Sequence, residues 1–166
     1  MSLTLAAVGA VVAAVLQLTI VPYLGIAGAY PDLVLVVAVI ATFTWSIEAG
    51  MTLAFVGGLM IDLLAPRPIG LTAFTLLVST GIAALIGRVI PRGRIVTQIV
   101  LIFVLSFVTD LLFLAMFAAL RGRLEVGDPI QLILPGALYS TAIAVVLAPL
   151  AVALHKRFAE RERVAW

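Results

Sequence analysis

The chain is a succession of long apolar runs separated by short breaks rich in glycine, proline or charge. Backbone amides in hydrocarbon must be hydrogen-bonded within the protein, so only helices or closed barrels span a bilayer. These runs are too continuous for barrel strands, which alternate over about ten residues. The pattern predicts one multi-pass α-helical domain with about six spans, at residues 3–21, 32–47, 49–64, 71–90, 95–120 and 130–154, and a short tail at 155–166.

The turn between the second and third spans is predicted from one charge. A single helix over residues 32–64 would be about 50 Å long and would carry Glu48 at its middle, which is costly in a bilayer. We therefore place a turn at residues 45–50, where Trp45 suits the membrane interface and Gly50 suits a turn. Both resulting helices are short, so we expect them to be tilted, to thin the bilayer locally or to form a re-entrant pair.

Composition narrows the class of protein. Of the 166 residues, 64% are hydrophobic and 11% are charged, whereas soluble domains have roughly 45–50% and about 25%. The chain has no cysteine and one histidine, which excludes disulfides, thiolate zinc sites, iron–sulfur clusters and a His-rich metal site. We expect membrane lipids as neighbours, and no metal, cofactor or nucleic acid.

The distribution of basic residues predicts the orientation. If the N-terminus is cytoplasmic, seven basic residues lie on the cytoplasmic side and three on the opposite side, which agrees with the positive-inside rule. The seven are Arg88, Arg92, Arg94, Lys156, Arg157, Arg161 and Arg163, and the three are Arg67, Arg121 and Arg123. We expect six spans with both termini in the cytoplasm. A cleavable signal peptide is the alternative for the first run, since Ala27-Gly28-Ala29 resembles a cleavage site.

Asp110 lies near the middle of the fifth predicted span. An ionised carboxylate there costs several kcal/mol unless it is paired or hydrated. It is either a functional site or a buried acid hydrogen-bonded to the hydroxyl of Ser140 or Thr141 on the next helix. The second interpretation is favoured because no other carboxylate or cation is expected at the same depth. A proton- or ion-coupled transporter would depend on Asp110 alone.

Asp62 lies just before the break that Ala65 and Pro66 introduce. Arg67 follows five residues later, so we predict a salt bridge that fixes this loop.

Two stripes of small residues occur at helical spacing. One consists of Gly50, Ala54 and Gly58, with Gly57 beside the last, and the other of Ala6, Ala10 and Ala14. Such stripes let two helix backbones approach closely, either within the protein or in a groove for a partner's transmembrane helix. No nucleophile elbow, zinc-protease motif, phosphate-binding loop or pair of intramembrane carboxylates is present, so we expect no enzymatic activity.

Several segments together resemble a known family. They are Gln17 and Pro22 at the end of the first span, residues 31–35 (Pro-Asp-Leu-Val-Leu), residues 57–64 (Gly-Gly-Leu-Met-Ile-Asp-Leu-Leu) and residues 68–73 (Pro-Ile-Gly-Leu-Thr-Ala). The sequence resembles the MreD family, small membrane proteins of the bacterial rod-shape system. The resemblance extends from the first helix through the fourth, and length and topology agree over the rest.

The resemblance implies a multi-pass plasma-membrane protein that works with MreC, MreB and the RodA glycosyltransferase with its class B penicillin-binding protein in lateral wall synthesis. We therefore expect a non-enzymatic scaffold that receives the transmembrane helix of MreC. The expected docking residues are Gly50, Ala54, Gly57 and Gly58, and the expected structural motif residues are Pro31, Asp32, Asp62 and Gly70.

A second interpretation comes from the same resemblance. MreD proteins look like the substrate-binding S-components of energy-coupling-factor vitamin transporters in their six-helix plan. In that alternative, Ala6, Ala10 and Ala14 would dock the coupling protein, and the loop from Pro22 to Pro31 would cover a vitamin.

Overall fold

The structure is a computed structural model that describes residues 3–25, 30–66, 68–89, 95–121 and 129–164. Within these residues it contains six α-helices and one short 3₁₀ helix, and no strand. The α-helices are α1 (Leu3–Thr19), α2 (Leu33–Thr44), α3 (Ile47–Leu64), α4 (Leu71–Val89), α5 (Ile95–Arg121) and α6 (Pro129–Val164), and the 3₁₀ helix is Val21–Leu24.

Five of the described segments are long and apolar enough to cross a membrane. They are Leu3–Tyr23, Ile47–Leu64, Leu71–Val89, Ile95–Leu120 and Ile133–Leu154. The predicted fold class, an all-α multi-pass membrane protein, is confirmed. The helix α6 continues to Val164, through most of the segment predicted as a tail. The residues that resemble a cleavage site, Ala27-Gly28-Ala29, lie outside the described residues.

The shortest α-helix, α2, forms the centre of the bundle. Nine of its twelve residues are buried, and it contacts each of the other five α-helices. Its sequence is apolar on every side, as expected for a helix enclosed by others. With about 18 Å of length against a hydrocarbon core of about 30 Å, α2 cannot reach both membrane surfaces. The bundle therefore holds at least one end of α2 at membrane depth.

The turn between α2 and α3 is tighter than predicted. Only Trp45 and Ser46 separate the two helices, because the Ser46 hydroxyl accepts a hydrogen bond of 3.1 Å from the Ala49 N–H and starts α3 at once. Glu48 lies in the first turn of α3, where an acidic residue suits the helix dipole. As a result α3 has 18 residues and is long enough to span, unlike the pair of equally short helices expected from the sequence.

The break between α3 and α4 falls where the prolines predict it. The helix α3 ends at Leu64 and α4 begins at Leu71. Gly70 has a φ of +90°, a backbone conformation that residues other than glycine rarely adopt. Arg67, the predicted salt-bridge partner of Asp62, lies outside the described residues.

Candidate functional site

The first turn of α4 is bound by the carboxylate of Asp62, which reaches it from α3. The Thr72 N–H donates to both oxygens, at 3.1 and 3.0 Å, and the Ala73 N–H donates to Oδ2 at 3.2 Å. Asp62 is 2% exposed. The first N–H groups of a helix have no partner within the helix and carry its positive dipole end, so a carboxylate is a suitable acceptor. Asp62 therefore joins the end of α3 to the start of α4.

The first turn of α2 is bound in a similar way by two side chains. Asp32 precedes the helix, and its Oδ1 accepts from the Leu35 N–H at 3.0 Å. The side-chain oxygen of Gln17, from α1, accepts from the Val34 N–H at 2.9 Å. In addition, the Asp32 N–H donates to the Ser140 hydroxyl on α6 at 2.9 Å. These bonds join α1, α2 and α6 at one point.

We call the end of the bundle at which α2 and α4 begin the capped end. A buried backbone N–H group without an acceptor costs about 1–3 kcal/mol. The caps at α2 and α4 satisfy such groups with side chains from α1 and α3 as well as with the local Asp32. The capped end is therefore held by hydrogen bonds between helices.

A cavity of about 640 Å³ lies beside the capped end. Its polar side chains come from α1, from the α1–α2 connection, and from α4 and α5, and the rest of the lining is apolar, including Phe113 and Leu114 of α5. The polar side chains that line it are Gln17, Tyr30, Asp32, Thr72, Thr75, Thr109 and Asp110. Three of the predicted site residues, Pro31, Asp32 and Asp110, come together in this lining.

Asp110 lies on the wall of this cavity, and its surroundings differ from those predicted. The Ser140 hydroxyl accepts from the Asp32 N–H, and the Thr141 hydroxyl donates to the Ala137 carbonyl at 2.7 Å. Among the described residues, neither of these hydroxyls nor any other group donates a hydrogen bond to the Asp110 carboxylate. The expectation that no second carboxylate lies at its depth is wrong, since Asp32 lines the same cavity. The shortness of α2 is the reason, because it brings the start of that helix into the bundle.

Buried hydroxyl groups continue from the cavity along the contact between α4 and α5. The Thr109 hydroxyl lies 2.6 Å from that of Ser79 and 2.7 Å from the Leu105 carbonyl oxygen. Farther along, the hydroxyls of Thr80 and Ser106 and both amide atoms of Gln98 are buried without a hydrogen-bond partner among the described residues. The α4–α5 contact is thus more polar than the rest of the core.

The stripe predicted for partner docking is buried within the chain. Gly50, Ala54, Gly57 and Gly58 all face other helices of the same bundle. A Cβ at Gly57 would lie 2.6 Å from Val34 Cγ1, and one at Gly58 would lie 2.5 Å from Ala73 Cα. A Cβ at Gly50 would overlap the Thr42 hydroxyl. In the described conformation no partner helix fits on this face, and the interpretation as an internal packing seam matches the structure.

The alanine stripe of α1 is also internal. Ala6, Ala10 and Ala14 are each 0% exposed, and α1 packs mainly on α3. The Ala10 carbonyl oxygen would lie 3.6 Å from a Cβ at Gly57, so the two stripes meet. Small residues on both helices allow this close approach. The predicted docking of a coupling protein on this stripe is therefore incompatible with the described packing.

Sequence reasoning missed the roles of two residues. Gln17 was placed in the family pattern without a function, and Ser140 was considered only as a partner of Asp110. Both bind the start of α2. The available signal was the position of Gln17, a side-chain amide near the end of one apolar run where the next helix begins with unsatisfied N–H groups.

The fold and the capped end define a class, an all-helical multi-pass membrane protein with a cavity at one end of its bundle. The family profile described as rod shape-determining protein MreD matches residues 2–158. The chain therefore belongs to the MreD family, and the resemblance found in its motifs is confirmed. It is a rod shape-determining membrane protein. No curated protein and no solved structure matches the chain.

Proposed function

We propose that this protein is a non-enzymatic scaffold of the cell-elongation complex, which binds MreC and couples it to RodA and a class B penicillin-binding protein, with MreB as a further partner. The proposal rests on membership of the MreD family. It is further supported by the inward direction of both small-residue stripes, which leaves large apolar side chains on the outside of the bundle.

The helix of MreC would bind on this outer apolar surface, where small-residue packing plays no part. Exposed residues occur on several helices, so one face must be distinguished from the others by experiment. Representative exposed positions are Leu5, Val12, Leu85, Val96 and Val146.

The test is purification from the native membrane combined with photo-crosslinking from these exposed positions. We expect recovery of MreC and crosslinks from positions on one continuous face. A photo-crosslinker at Ala38, which is 0% exposed, is the matched negative control. Recovery without MreC, RodA or the penicillin-binding protein would contradict the proposal.

We further propose that both termini are cytoplasmic in the bacterial plasma membrane, as the seven-to-three distribution of basic residues indicates. In intact cells a membrane-impermeant thiol reagent should label a single cysteine introduced at Tyr23, which is 89% exposed, whereas one introduced at Ser2 should be labelled only after the cells are permeabilised. Labelling of both from outside would contradict this orientation.

One observation favours the transporter-subunit alternative, namely the cavity beside Pro22, Tyr30 and Pro31. The burial of Ala6, Ala10 and Ala14 weighs against it, because the expected coupling-protein surface is covered by α3. Extraction of the purified protein followed by mass spectrometry distinguishes the two functions, since a transporter subunit should yield a bound vitamin and a scaffold should not.

A further inference from the structure

We propose that the cavity at the capped end binds an ammonium group carried on a small, partly apolar body, with Asp110 as its counter-ion. This site goes beyond the scaffold function and does not depend on the binding of MreC.

The size and lining of the cavity indicate an organic ligand. Ligand sites of small molecules commonly measure about 300–1,000 Å³, and this cavity has about 640 Å³. A bare metal ion would leave most of that space empty. Among the described residues, no group of three or more His, Cys, Asp or Glu side chains could hold a metal ion. The apolar walls, with Ile61 and Phe113, are suited to hydrocarbon atoms of a ligand.

The charge of the lining selects a cation. Two aspartates line the cavity, and none of the described residues that line it is Lys, Arg or His. Phosphate and carboxylate ligands would therefore meet only like charge. Asp110 is the carboxylate to which no described group donates a hydrogen bond, so its oxygens remain as acceptors for a ligand.

Two acceptor oxygens lie close to Gly136 on the wall of the cavity. A Cβ built on Gly136 would stand 3.3 Å from the Tyr30 carbonyl oxygen and 3.8 Å from Asp110 Oδ2. The Tyr30 carbonyl oxygen and Asp110 Oδ2 thus lie near each other, on either side of the glycine that α6 contributes to the wall. An ammonium group has three N–H donors and no acceptor, which complements such a pair.

Thr72 supplies an independent sign of a missing partner. Its side chain is 6% exposed and lines the cavity, yet its hydroxyl has no hydrogen-bond partner among the described residues. By contrast, the Thr75 hydroxyl on the same wall donates to the Thr72 carbonyl at 3.0 Å. Buried hydroxyls are normally hydrogen-bonded, so the Thr72 hydroxyl is an unsatisfied polar group in this wall of the cavity.

The same ammonium chemistry has two sources, a free amine and the headgroup of an aminophospholipid. For the free amine, we would measure equilibrium dialysis of 2-phenylethylamine against the full chain in phosphatidylglycerol nanodiscs, with 2-phenylethanol as the uncharged comparison. For the lipid, native mass spectrometry would compare retention of phosphatidylethanolamine and phosphatidylglycerol.

The variant Asp110→Asn removes the charge at nearly constant volume. We expect it to weaken the binding of 2-phenylethylamine, or the retention of phosphatidylethanolamine, about tenfold or more, the usual size of a lost hydrogen bond to a charged group. The matched control is Glu48→Gln. Glu48 lies in the first turn of α3, at the end of this helix away from the cavity, so the variant should change neither amine binding nor lipid retention. Gly136→Ala narrows the same space without changing charge and should also weaken binding, which keeps the test informative if Asp110→Asn folds poorly.

Each outcome either supports the ammonium site or overturns it. Selective binding of 2-phenylethylamine without lipid retention identifies a free amine, and selective retention of phosphatidylethanolamine identifies a headgroup. Equal binding of the amine and the alcohol, binding of neither ligand together with equal retention of both lipids, insensitivity to both cavity variants, or a co-purified anion in the cavity would each overturn the proposal.

Discussion

Asp62 and Asp110 are two acids within one bundle whose surroundings are opposite. Asp62 is almost completely buried, and its two oxygens accept three hydrogen bonds from the N–H groups at the start of α4. Asp110 is only partly buried, faces a cavity and accepts no hydrogen bond from any described group. An acid in a membrane helix thus has two different uses here, one as part of the framework and one as an open acceptor.

The position of an acid along a membrane-spanning helix does not by itself reveal whether that acid is functional. Asp110 attracts attention in the sequence because it lies mid-span, whereas Asp62 lies close to a helix end. In the structure the acid near the helix end is the more buried of the two. What distinguishes them is whether backbone N–H groups of a neighbouring helix start are within reach.

The largest expected loss of stability is that of Gly58→Ala, at the contact between α3 and α4. The new methyl group would stand 2.5 Å from Ala73 Cα, and these backbone atoms cannot move without shifting α4 away from Asp62. We expect a loss of about 3 kcal/mol of stability, toward the upper end of the usual cost of overpacking. Thermal unfolding in one detergent measures it.

Gly81→Ala is the matched control, because a Cβ at Gly81 meets nothing within 4 Å. Alanine favours a helix over glycine, so this variant should be neutral or more stable. Equal destabilisation by both substitutions would show that close approach at Gly58 is not what holds α3 against α4.

The second effect is that of Asp62→Ala, which leaves the N–H groups of Thr72 and Ala73 buried without acceptors. We expect a loss of about 2 kcal/mol, the cost of unsatisfied buried polar groups. Asp62→Asn retains one acceptor and should lose less. Hydrogen exchange at the first turn of α4, measured beside thermal unfolding, would show whether the loss is local, and unchanged protection would contradict the capping role.

The smallest effect on stability is expected for Asp110→Asn. No described hydrogen bond is removed and the volume is conserved, so the stability should change by less than about 0.5 kcal/mol or should increase. A loss as large as that for Asp62→Ala would mean that Asp110 also belongs to the framework. Thermal unfolding without added amine provides this measurement, separately from ligand binding.

Several helix starts could be read from short-range sequence patterns. Asp32 and Ser46 bind N–H groups three residues ahead, which is the ordinary geometry of a helix N-cap. Gly70 and the prolines around it marked the break before α4. The roles of Gln17 and Ser140 were harder to read, because they bind a helix start 17 and 108 residues away, and only the position of Gln17 near the end of an apolar run pointed to its role.

The sequence likewise does not show whether the small-residue stripes face the inside or the outside of the bundle. In a soluble protein the buried face of a helix is apolar and the exposed face polar, but lipid and protein neighbours are both apolar here. Gly50, Ala54, Gly57 and Gly58 therefore fit an internal seam and an external groove equally well in the sequence. Only the positions of Val34, Thr42 and Ala73 decide between them.

The sequence alone determined the membrane class, the six apolar segments, the breaks between them and the family, since hydropathy, proline and glycine act locally along the chain. Tertiary structure alone decided that α2 is central, that both stripes face inward, and that Asp32 and Asp110 share a cavity. These features depend on which helices become neighbours. Because apolar helix faces of similar composition can pack against one another in several ways, the local sequence pattern does not show which pairs form.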